Sequence, residues 1–227
     1  MSQLCFCAPT NKKQLIKYAD VIRKVFNIKE TEEFPILNVL DLAMDEPMFN
    51  DFSYQVVEDD DNMFDGETQL AFYSYLENTI FIKSSQYDSA KVDPRSRFTL
   101  THEFSHMFLM QVTNRKPKLK DDDGKGIQSF SDPEWQANRL AGYILIPERI
   151  CQKLNEKEIE TQFFVSPECA TYRKINSIKD KIDVNALFEV KSVDIAKFMI
   201  DSGSSNMVIE TIADSEEIDA RINAVRF

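Results

Sequence analysis

The chain has 227 residues, 43% apolar and 11% aromatic, a composition that gives a folded globular protein and excludes bulk disorder. Its formal net charge of −11 opposes a protein that tracks nucleic-acid phosphates, because such binding needs clustered Lys and Arg. The opening MSQLCFCAPT has no charged segment followed by an apolar core, and no stretch reaches the roughly 18 apolar residues of a membrane span, so a cytoplasmic protein without membrane contact is expected.

Four scattered cysteines, Cys5, Cys7, Cys151 and Cys169, are too few for a disulfide framework, and Cys5-x-Cys7 reads as free thiols near a mobile terminus. Thr10 is the expected cap of a helix to about Asn27, on the spacing of Leu15, Ala19, Ile22, Val25 and Phe26. A second helix covers Ile36 to Met44. Between Met44 and Thr68 stand nine acidic residues and no basic one, with Phe52, Tyr54 and Val56 alternating, which predicts a strand ending in a solvated acidic turn, Glu58 to Asp61. Gln69 to Tyr75 and Thr79 to Ser84 also alternate, with Leu76, Glu77 and Asn78 reversing the chain, so the three strands are expected to form an antiparallel meander.

Asp93-Pro94 opens a helix through about Val112, and Asp132-Pro133 opens another that stops at Pro147. Thr113 to Ser131, with KPKLKDDDGKG, lacks periodicity and reads as a surface loop. A short helix to about Leu154 is followed by a helical pair, Ile159 to Phe164 and Pro167 to Ile175, with Ser166 as N-cap. Ser202 to Asn206 resembles a linker, and the end of the chain carries an apolar run, Met207 to Ile209, and an amphipathic stretch, Ile218 to Val225. The expected organisation is one domain over 1–176, including the helical pair at 156–176, and a C-terminal extension over 177–227.

The chain's two histidines both lie in His102-Glu103-Phe104-Ser105-His106. Positions four apart share a helix face, so the imidazoles converge, and the acid between them is placed to accept a proton from a metal-activated water. This is the pattern of a zinc-dependent peptidase. No histidine remains for a third ligand, which leaves a carboxylate or a thiolate. Glu134 is the leading candidate, because it heads the apolar stripe Ala137, Leu140, Ala141, Ile144 and Leu145, where a carboxylate is costly unless it is paired or holds a cation. Asn138, one turn on, is placed to hydrogen-bond a ligand histidine.

The segments RFTLTHEFSH at 97–106, DPEWQANRLAG at 132–142 and ILIP at 144–147 resemble the ImmA/IrrE family of metallopeptidases, whose pattern is RFTxAHExGH, then E-x-x-A-N-x-[FL]-A, then Leu-x-Pro. Val165-Ser166-Pro167 with Ala170 and Arg173 is similar to the family's helical pair, and the likeness covers about Ile16 to Ile175. It implies an α+β zincin-like fold: N-terminal helices, a small three-stranded antiparallel sheet, a central HExxH helix and C-terminal helices. It also implies His102, His106 and Glu134 as ligands of Zn2+, with Mn2+ or Fe2+ as alternatives, Glu103 as base, and a helix-turn-helix repressor as protein substrate. Three positions depart from the pattern: Ser105 replaces a Gly, Met110-Gln111 replaces a His, and Tyr143 stands where an acid is common.

The expected reaction is hydrolysis of a peptide bond in a regulatory protein, the substrate adding to the exposed edge of the Thr79 to Lys83 strand. Tyr75, Tyr143 and Arg173 are candidate oxyanion stabilisers. A metal-stabilised protein that sequesters a repressor, or serves as a toxin-antitoxin partner without cleaving, is the alternative. A DNA-binding helical pair is disfavoured, because residues 151–200 carry eight basic and eight acidic side chains.

Overall fold

The computed structural model describes residues 5–6, 10–49, 51–113, 118–119 and 132–187. Helix α1 (Lys12–Val25) is capped by Asn11 rather than Thr10: the Asn11 side chain accepts from the Gln14 amide and the Gln14 side chain accepts from the Asn11 amide, both at 3.0 Å. Thr10 is buried instead. Helix α2 (Ile36–Asp45) follows and ends in a 3-10 turn, Pro47–Phe49. A two-residue bridge joins β1 (Cys5–Phe6) to β5 (Lys118–Leu119) antiparallel, so Cys5 and two residues of the expected loop have backbone partners. Most of that loop, Cys7 and the C-terminal stretches from Ser202 onward lie outside the described residues.

The main sheet departs from the expected meander. Its strands are β2 (Ser53–Val57), β3 (Ala71–Ser74) and β4 (Thr79–Lys83), in the order β2-β4-β3. β3 and β4 pair antiparallel, but β2 runs parallel to β4, in register from Ser53 opposite Thr79 to Val57 opposite Lys83. The reason lies in burial on two faces. β4 is buried at every position, as a central strand must be, whereas β2 is partly exposed along its length and takes an edge. Alternation fixes which face a side chain takes but not which strand lies beside it. The edge of Thr79–Lys83 that was expected to be exposed is therefore paired on both sides, and β3 holds one edge of the sheet. Helix α3 (Ser84–Ser89) begins where the last strand was expected to continue. Asp59, from the acidic turn, accepts from the Ser84 hydroxyl at 3.1 Å and the Ser85 amide at 3.0 Å, so part of that turn caps a helix.

Helix α4 (Pro94–Thr113) runs through the centre of the molecule. Asp93 opens it as expected, accepting from the Ser96 amide and hydroxyl, both at 2.8 Å. Leu100, Phe104, Met107 and Phe108 are completely buried along it. The Phe104 ring packs against Phe49, Phe26 and Phe52 at centroid distances of 5.6, 6.4 and 6.4 Å, in edge-to-face contacts that hold the helix by its back. Arg97, two turns earlier, pairs with Glu33 and donates to the Phe34 carbonyl at 2.6 Å, pinning the helix start to the loop before α2. None of the described helices is long and apolar enough to cross a membrane.

Helix α5 (Pro133–Leu145) packs along α4, and α6 (Glu148–Cys151), α7 (Glu156–Phe163) and α8 (Pro167–Asp180) complete a helix-dominated α+β fold with a small mixed sheet. Ser166 caps α8 as expected, accepting from the Cys169 amide at 3.2 Å. The helix passes through residue 176, where the sequence places the end of the first unit. Its last residue, Asp180, pairs with Lys12 at 2.5 Å and Arg139 at 3.2 Å.

Arg173 of α8 carries the tie between the C-terminal helices and α5. It donates to the carbonyls of Gly142 at 3.0 Å and Ile146 at 2.9 Å and pairs with Glu148 at 3.0 Å, with both charged side chains almost completely buried. A Cβ at Gly142 would lie 2.8 Å from the Arg173 Cδ, so only glycine lets the guanidinium reach the end of α5. Glu148 also accepts from Ser177 at 2.5 Å and Gln152 at 3.1 Å. Arg173→Met leaves this carboxylate buried without its cation and is expected to cost about 3–5 kcal/mol of stability in urea unfolding. Gly142→Ala is expected to cost about 1–3 kcal/mol by forcing the arginine to shift.

Candidate metal centre

His102 and His106 lie on consecutive turns of α4, and their Nε2 atoms are 3.0 Å apart. Glu134 reaches them from α5, where it is the second helical residue after the Asp132 cap, which accepts from the Glu134 amide at 3.0 Å. Its Oε2 is 3.3 Å from His102 Nε2, and its Oε1 is 3.3 Å from His106 Nε2. Two ligands held about 2.0–2.1 Å from one ion at the tetrahedral angle are themselves about 3.3 Å apart, so this triangle has the dimensions of a zinc coordination face. The three residues form a group able to hold a metal ion among the described residues.

The burial argument for Glu134 does not hold. Its side chain is 68% exposed, and Asn138 is exposed as well. What distinguishes the carboxylate is convergence on the imidazole pair, which itself is mostly covered. Hydrogen bonds from His102 and His106 hold the Glu134 carboxyl well below the ordinary range, so it stays charged and offers a ligand without a proton to displace. For His102, burial opposes the charged form, but its hydrogen bond to Glu134 and the charges of Glu103 and Glu134 outweigh burial and raise the pKa. Asn138 lies close enough to favour the same charged form, yet the buried His102 Nδ1 makes no hydrogen bond of normal geometry.

Glu103 is held by a feature that no side-chain pattern reveals. The backbone amide of Tyr73, on β3, donates to Glu103 Oε2 at 2.9 Å, so the carboxylate is fixed between the helix and the sheet edge. Burial raises its pKa, while the charges of His106 and His102 and the Tyr73 hydrogen bond act in the opposite direction. The Tyr73 hydroxyl donates to Asn78 at 2.8 Å, and Gln111 donates to the same Asn78 oxygen at 3.3 Å, bracing the strand end against α4. Gln111 is one of the positions that depart from the family pattern, and here it links helix to turn. Ser105 is fully buried and donates to the Thr101 carbonyl at 2.7 Å, so its hydroxyl faces the core of α4 rather than a substrate.

The three oxyanion candidates lie elsewhere or are engaged. Tyr75 stands in the turn beyond β3 with its ring half exposed. Tyr143 is nine residues along α5 from Glu134, about 13 Å by the rise of the helix, and its ring is buried beneath the Arg173 guanidinium at 4.5 Å. Arg173 spends its donors on the end of α5 and on Glu148. Both residues belong to the packing between α5 and α8.

A comparison with curated proteins finds no match. The Peptidase_M78 family model, described as the IrrE N-terminal-like domain, matches residues 54–174, more than half of the chain. The matched span begins in β2 and ends in α8, and so contains the whole triangle of donors, the carboxylate between the histidines and the strand that holds it. With both ligand helices, their motifs and this match in agreement, the chain belongs to the ImmA/IrrE family of peptidases.

Proposed function

We propose that the chain is a zinc-dependent endopeptidase that cuts a regulatory protein in the cytoplasm, a helix-turn-helix repressor controlling a mobile element, prophage or stress response. The observation that carries the reading is the convergence of His102, His106 and Glu134 beside the fixed carboxylate of Glu103. The same placement, with two imidazoles from one helix and a carboxylate from the next, supports a zincin-like arrangement. His102, His106 and Glu134 would hold a divalent cation, which would supply Lewis acidity toward the scissile carbonyl and toward water. The nitrogen and oxygen donor set suits Zn2+ and also accommodates Mn2+ or Fe2+.

Glu103 takes the proton from the attacking water and delivers it to the leaving nitrogen, and the Tyr73 amide keeps its carboxylate oriented for both transfers. The sheet edge that presents substrate is β3 and not Thr79–Lys83. An extended segment adding along β3 passes next to the base, because the Tyr73 amide of that strand already touches it. The repressor as substrate rests on the family resemblance and on the need for an extended, accessible segment.

Three outcomes follow. The metal-loaded protein, incubated with a helix-turn-helix repressor encoded beside it, yields a shortened repressor by mass spectrometry; tight binding with intact repressor would establish the sequestering alternative instead. Glu103→Gln retains one equivalent of metal while kcat falls by about 100-fold or more, whereas Glu134→Ala loses the metal in elemental analysis. In the metal-free protein the Glu103 carboxyl is expected to titrate above the ordinary glutamate range when followed by infrared spectroscopy, because burial raises its pKa. Titration at or below the ordinary value would contradict a buried carboxyl.

A further inference from the structure

Beside the metal centre, a cavity of about 620 Å³ lies between α4, α5 and α8, and the chemistry assigned to Glu103 and the three ligands makes no use of it. Phe98, Thr99, Trp135, Asn138 and Tyr172 line it. Its position is set by the two ligand helices. Thr99 stands one turn ahead of His102 and Glu103 on α4, Trp135 follows Glu134 on α5, and Asn138 lies against the His102 ring. A peptide whose carbonyl sat at the donor triangle would have this cavity within reach of a neighbouring side chain.

The walls indicate what kind of side chain fits. Four aromatic rings, those of Phe98, Trp135, Tyr143 and Tyr172, line the cavity, and each cation there has a partner within the protein. Arg139 pairs with Asp180 at 3.2 Å and packs over Trp135 and Tyr172 at 5.5 and 5.9 Å. Arg173 pairs with Glu148, and Arg95 pairs with Glu168, each at 3.0 Å. A charged occupant would have to break one of these pairs or enter without a counter-ion, whereas an apolar one gains the full benefit of leaving water. The volume lies within the range of ligand pockets and exceeds what a small side chain would fill.

We infer that this cavity is the specificity pocket of the peptidase, and that it takes a large, uncharged apolar or aromatic side chain next to the bond that is cut. The inference rests on the metal centre acting on peptides, as set out above.

The chain's single tryptophan, Trp135, stands in the cavity wall and reports occupancy directly. The full-length zinc-loaded protein is titrated with N-acetylated hydroxamates of glycine, phenylalanine and glutamate, which anchor on the metal and differ only in side chain. The phenylalanine compound is expected to bind about tenfold or more tighter than the glycine compound and to change the Trp135 emission saturably, while the glutamate compound gains nothing. Thr99→Phe, which fills the cavity beside His102, is expected to abolish the phenylalanine advantage and leave glycine-hydroxamate affinity intact, which also reports that the variant is folded. Equal binding of the phenylalanine and glycine compounds by the wild type overturns the pocket alone. Failure of the glycine compound to bind the zinc-loaded protein overturns the metal reading and the pocket with it.

Discussion

The fold depends on how α4 and α5 are held side by side, because the donor triangle exists only while Glu134 on one helix faces His102 and His106 on the other. Neither helix is positioned by the centre itself. α4 is fixed at its back by the aromatic contacts of Phe104 with Phe26, Phe49 and Phe52, and at its start by Arg97 reaching Glu33 and the Phe34 carbonyl. α5 is fixed at its far end, where Arg23 of α1 donates to the Ile144 carbonyl at 2.7 Å and Arg173 of α8 gathers the Gly142 and Ile146 carbonyls. Buried guanidinium groups thus gather the carbonyls at the end of the helix, Gly142 accepting from the Ile146 amide as well. The ligand end of α5 stays open to solvent while its other end is locked.

The second structural element of the site is the sheet edge. β4 takes the centre of the sheet because it is buried on both faces, which leaves β3 at the edge nearest α4. The Tyr73 amide of that edge turns outward and donates to Glu103, so the strand that would pair with an extended peptide also orients this carboxylate. On the proposed mechanism, substrate alignment and proton transfer would be coupled through one backbone group. The mixed topology is therefore a functional matter: a meander with Thr79–Lys83 at the edge would place a different strand against the helix.

The chemistry of the site was legible in the sequence because it depends on side chains at helical spacing. Two histidines four apart and an acid between them define one face of a helix without any knowledge of the rest of the fold. Glu134 is indicated by elimination and by resemblance and not by burial, since its side chain is largely exposed. The parts that could not be read depend on backbone groups or on tertiary choice. An amide such as that of Tyr73 has no sequence signature, and alternation in Phe52, Tyr54 and Val56 does not say that the strand runs parallel to its neighbour. Arg173 and Tyr143 drew attention as polar residues near motif positions. Their role in joining α5 to α8 depends on a close approach that Gly142 permits, which only coordinates reveal.

X-ray absorption spectroscopy of the metal-reconstituted protein tests the central claim most directly, since it counts the atoms around the ion. One ion per chain, with two imidazole shells and the remaining scatterers oxygen, is the result that follows from His102, His106 and Glu134 meeting at one point. A first shell containing sulfur, or lacking the paired imidazoles, would mean that the ion is held elsewhere and that the triangle between α4 and α5 is not its site.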